Sequence, residues 1–68
     1  MDNTIGRKIK ELRVDMGITQ SVLAKSLGVT QDSVSLWENG KRLPDTQYVI
    51  AICRFFDASA DYLLGIKE

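Results

Sequence analysis

The sequence predicts an all-α domain of five short helices. Apolar residues recur at the three- and four-residue spacing of a helix face, and nowhere alternate as a half-buried strand would. Glycines and the one proline cut the chain into short periodic segments. Several of those segments open on a serine or threonine placed to cap a helix.

Ile5, Ile9, Leu12 and Met16 fall at i, i+4, i+7 and i+11, which lines one face of a first helix, and Gly17 follows as its stop. In Ile18-Thr19-Gln20-Ser21-Val22-Leu23, Thr19 suits an N-cap, with Ile18 and Leu23 spaced as a hydrophobic staple around it. The arrangement recurs one helix later, where Thr30 caps and Val29 packs on Val34. Gly28 lies between the two, at the place where a tight turn needs positive φ. Two helices of about eight and nine residues joined by a turn of three or four make a helix-turn-helix. A fourth helix, entered by Pro44, runs from about Asp45 to Phe56, with Val49, Ile52, Cys53 and Phe56 as its inner stripe. A fifth starts at Ser59 as N-cap and carries Tyr62, Leu63 and Leu64 as far as Gly65.

With 68 residues the chain is a single domain, 1–68, and such a chain buries only roughly 60% of its unfolded surface. One cysteine allows no intrachain disulfide, and the lack of histidine removes the usual zinc ligand sets. Cys53 reads as a small buried hydrophobe. Net charge is zero, but unevenly spread: residues 1–42 hold seven Lys/Arg against five Asp/Glu, and residues 43–68 hold two against four. Asp2, Arg7, Lys8, Lys10, Glu11 and Arg13 interrupt any export signal near the N-terminus. The longest apolar run, Tyr48 to Cys53, has six residues, where a membrane span needs about 20. A soluble cytoplasmic protein is the expectation.

The stretch from Thr19 to Pro44 contains Thr-Gln, Leu-Ala, Leu-Gly-Val-Thr-Gln, Trp-Glu-Asn-Gly-Lys-Arg and the closing proline in that order. It closely resembles the Cro/C1-type (Xre) helix-turn-helix family, which includes the lambdoid phage repressors. Ala58 to Gly65 is similar to the family's closing helix. The resemblance covers nearly the whole chain and implies a lambda-repressor-like DNA-binding domain with its motif at about 19–39. It sets Ala24 at the crossing of the two motif helices, turns Leu23, Leu27, Val34 and Trp37 to the core, and pairs Arg13 with Glu38.

A recognition helix offers its N-terminal residues to base edges in the major groove. The outward positions that the resemblance assigns to this role are Gln31, Asp32, Ser33, Ser35 and Leu36. Gln31 is the strongest of them, because a glutamine amide can bond adenine N6 and N7 together. Leu36 suits a thymine methyl. Asp32 can accept from cytosine N4, or simply complement the positive end of its own helix. Ser33 has the same helix-end alternative. By resemblance, Gln20, Asn39, Lys41 and Arg42 contact phosphates, with Lys25 and Arg7 as further candidates. Lys41 and Arg42 as a solvated loop is the plainer alternative.

The implied function is a sequence-specific double-stranded DNA-binding transcriptional regulator, a repressor acting as a homodimer on a two-fold symmetric operator. The dimer contacts would come from Ile50, Phe55, Tyr62 and Ile66, apolar residues left over once the core is filled, with burial of Phe55 under the fifth helix as the competing assignment. The alternative is a protein-interaction module, antitoxin-like or partner-binding, that keeps the fold without specific DNA binding. Zero net charge and the presence of Asp32 and Leu36 on the reading face favour it. No catalytic constellation can be assembled, so an enzyme, a cofactor, a metal, a small-molecule ligand and a membrane partner are all unexpected.

Overall fold

Every helix of the computed structural model, which describes residues 4–66, places at least one side chain in a shared core. The helices are α1 (Thr4–Met16), α2 (Gln20–Leu27), α3 (Gln31–Glu38), α4 (Thr46–Phe56) and α5 (Ala60–Leu64). Ile9 comes from α1, Leu23 and Ala24 from α2, Val34 and Trp37 from α3, Ile52 from α4 and Leu63 from α5. Ile5, Leu12, Ile18, Leu27, Val29, Val49, Cys53 and both phenylalanines pack around that centre, partly buried. Asp2 and the two ends of the 1–68 span lie outside the described residues.

Local chemistry sets the helix starts. Thr19 and Thr30 are extended, with ψ of 168° and 157°, and each side-chain oxygen accepts from a backbone N–H three residues on, at 3.2 Å in both cases. Ser59 does the same for Tyr62 at 3.0 Å. Asp45 occupies the N-cap of α4 without a side-chain cap bond, so that helix relies on its apolar face instead. Gly28 ends α2 at φ 74°, and the next residue, Val29, donates back to the Ala24 carbonyl at 2.9 Å. This left-handed closure reverses the chain within three residues and aims α3 across α2.

Met16 departs from the pattern. Its spacing puts it in line with Ile5, Ile9 and Leu12, yet it is 48% exposed. The end of α1 overshoots the core: Val14, Asp15 and Gly17 are exposed as well. In that turn the inward contact is made by Arg13, whose guanidinium reaches α3.

Candidate nucleic-acid interface

At 3.6 residues per turn, Val34, Trp37 and Glu38 define the inner side of α3, and all three are buried. The opposite arc centres on Asp32 and Leu36, with Gln31 and Ser35 on the flank toward Glu38 and Ser33 on the flank toward Trp37. Gln31 and Asp32 are exposed, whereas Ser33, Ser35 and Leu36 are half-buried. The five residues expected to read bases therefore share one helix but differ in availability.

Hydrogen bonds separate them further. Ser33 is engaged in capping, its hydroxyl 3.1 Å from that of Thr30. Ser35 accepts from the Asn39 side-chain amide at 3.3 Å, which joins an expected base-reading position to an expected phosphate contact. Gln31 Oε1 accepts from the Ser21 hydroxyl at 2.8 Å, a link from the first turn of α2 to the first residue of α3. Nothing in the sequence singles out Ser21. The bond spans ten positions and exists only once the turn at Gly28 has brought the two helix starts together.

Behind this surface lies a buried ion pair. Arg13 Nε donates to Glu38 Oε2 at 2.7 Å, its Nη2 to Oε1 at 3.1 Å, and its Nη1 to the Ile18 carbonyl at 2.9 Å. The Glu38 hydrogen bonds raise the Arg13 pKa above the ordinary arginine value, against a smaller opposing effect of burial. The pairing keeps a carboxylate at the end of α3 neutralised internally. Gln20 joins it, donating from Nε2 to Glu38 Oε1 at 3.0 Å. The side chain of Gln20, expected at a phosphate, is thus turned toward Glu38, while its backbone N–H sits among the first amides of α2, which have no partner within the helix.

After α3 the chain folds back on the helix end. The backbone N–H groups of Lys41 and Arg42 both donate to the Leu36 carbonyl, at 2.9 and 3.2 Å. Two exposed cationic side chains are held in this way on a fixed loop beside the outward arc, next to exposed Asn39. Lys25 and Arg7 are exposed on α2 and α1. Of the apolar residues expected at a subunit contact, Ile50 and Ile66 are 48% and 72% exposed. Phe55 packs against the core with its ring edge-on to Phe56, 5.0 Å between centroids. Tyr62 lies beneath Lys8, whose ammonium is 4.4 Å from the ring centroid. Among the described residues no cluster of three or more metal-ligating side chains occurs, and no helix is long and apolar enough to cross a membrane.

Residues 9–63 match the helix-turn-helix family. The chain is 34% identical over 65 residues to the HTH-type transcriptional regulator ImmR of Bacillus subtilis, covering 96% of this chain and 51% of that protein. It is 36% identical over 61 residues to the HTH-type transcriptional activator BcrR of Enterococcus faecalis, covering 90% of this chain and 30% of that one. The chain therefore spans about half the length of the first relative and less than a third of the second. Its structure superimposes on the P22 c2 repressor protein, crystallised with a synthetic operator, with a TM-score of 0.82 and 30% identity, over 87% of this chain and 89% of that one.

Proposed function

Because the chain belongs to the helix-turn-helix family, we propose that it is a sequence-specific DNA-binding transcriptional regulator, a repressor that grips a two-fold symmetric operator as a homodimer. Residues 1–68 act in this reading as one such domain, in the cytoplasm and without catalysis. The observation that carries it is the outward arc of α3, polar at its first turn and unused by the core, lying between the start of α2 and the Lys41–Arg42 loop. Gln31 leads the base contacts, with Asp32, Ser35 and Leu36 beside it and Ser33 chiefly a capping residue. Asn39, Lys41, Arg42 and the amide end of α2 at Gln20 hold phosphates.

Two cations, Lys41 and Arg42, neutralise only about two phosphates per protomer, which favours a dimer for tight binding. Two copies on a two-fold axis would set their α3 helices about 34 Å apart, one turn of DNA. Ile50 and Ile66, two of the exposed apolar side chains, are the candidates for that contact. Repression needs nothing beyond the bound dimer, which excludes polymerase by occupying the site.

The test is selection of binding sites from random duplexes at near-physiological salt, with wild type beside a Gln31→Ala, Arg42→Ala variant. The reading predicts a two-fold symmetric site with half-sites about one helical turn apart, lost in the variant. Recovery of no motif, with weak and uniform retention of all duplexes, overturns it and hands the arc around Asp32 and Leu36 to a protein partner.

A further inference from the structure

Ser21 occupies the second position of α2, exposed, and has no part in the core. Its hydroxyl donates to Gln31 Oε1 at 2.8 Å, and Gln31 is the first residue of α3. Resting on the reading of Gln31 as a base contact, we propose that Ser21 is the positioning residue that sets which base Gln31 prefers.

An exposed glutamine amide ordinarily turns over freely, presenting its oxygen or its nitrogen to the groove by turns. Here both partners lie in the first turns of helices, where the leading N–H groups create positive potential that draws the carbonyl end inward. The Ser21 hydroxyl then takes one of the two lone pairs on Oε1. The second lone pair and the Nε2 hydrogens remain for the duplex. One acceptor beside one donor matches the N6 and N7 edge of adenine, and not the two acceptors of guanine. Ser21 touches no base in this scheme. It holds the amide in the oxygen-inward orientation that the helix ends favour before binding, so its contribution appears as discrimination between bases and not as general affinity.

The experiment measures binding of the 68-residue chain by fluorescence anisotropy to four duplexes that differ only at the base pair opposite Gln31, and to a random duplex. Wild type should prefer adenine about ten-fold or more. Ser21→Ala should lose about five-fold of that preference, one hydrogen bond's worth. Its affinity for the random duplex and its salt dependence should stay unchanged. Ser21→Thr, which keeps the hydroxyl, should restore the preference, and in a Gln31→Ala background Ser21→Ala should do nothing more. A Ser21→Ala chain that retains full discrimination overturns the proposal while leaving Gln31 as a reader. So does one that weakens all duplexes equally with a shallower salt slope, which would make Ser21 a phosphate contact. If wild type and Gln31→Ala show the same base preferences, the reading of Gln31 fails and the proposal with it.

Discussion

Replacing Arg13 by methionine tests how much of this small fold rests on one ion pair. The substitution keeps most of the aliphatic stem but removes two hydrogen bonds to Glu38 and one to the Ile18 carbonyl. It takes the guanidinium away from the Glu38 carboxylate, whose side chain is 2% exposed. Breaking one partner of a buried pair costs about 3–5 kcal/mol. The Arg13 side chain is itself 13% exposed, so water partly compensates and the low end, about 3 kcal/mol, applies. A chain of 68 residues has a total stability of about 3–10 kcal/mol, so the loss takes between a third and all of it. Urea titration followed by Trp37 fluorescence is a suitable assay, because Trp37 is 3% exposed and reports the core directly. With a slope of about 1 kcal/mol per molar urea, the midpoint should drop by about 3 M. The double variant Arg13→Met, Glu38→Met should recover much of the loss, since no buried charge is then left unpaired. An Arg13→Met chain within about 0.5 kcal/mol of wild type would mean that the ion pair does not hold this fold together.

Three further outcomes follow from the geometry. Gly28→Ala should cost about 1 kcal/mol through backbone strain at φ 74° alone, because the added Cβ meets no atom within 4 Å; a thermal melt measures it. Arg42→Ala should weaken binding to all duplexes alike and flatten the salt dependence by about 2 for a dimer, one phosphate per protomer, in a log–log plot of affinity against salt. Burial pushes the Cys53 thiol above its ordinary pKa, so the folded state holds that proton more tightly than the unfolded chain does. Its contribution to stability is then complete below the unfolded thiol value of about 8.5 and is lost as pH rises through the higher folded value. Denaturation midpoints between pH 8 and 10 should fall for wild type and fall less for Cys53→Ala.

Sequence chemistry anticipates this fold best where neighbours along the chain do the work. Thr19, Thr30 and Ser59 cap within three residues of themselves, and Gly28 needs only its own φ, so each is legible locally. Met16 shows the limit of periodicity: spacing tells which side of α1 it occupies, but not that the helix outruns the core. The Arg13–Glu38 pair spans 25 positions and was visible only through family resemblance. The Gln20–Glu38 and Ser21–Gln31 bonds had no sequence signal at all, because the packing of α2 on α3 decides which of several polar side chains meet. The candidate site was thus legible as a set of expected positions that do share α3, and the hydrogen bonds among them were not.

Backbone amide shifts of the isotopically labelled chain, followed by NMR as a selected duplex is added, test most directly the claim that the outward arc of α3 meets DNA. The largest changes should fall at residues 31–36, at Gln20 and Ser21, and across 39–42, with α1 little affected. Changes centred instead on Ile50 and Ile66, with α3 silent, would contradict it.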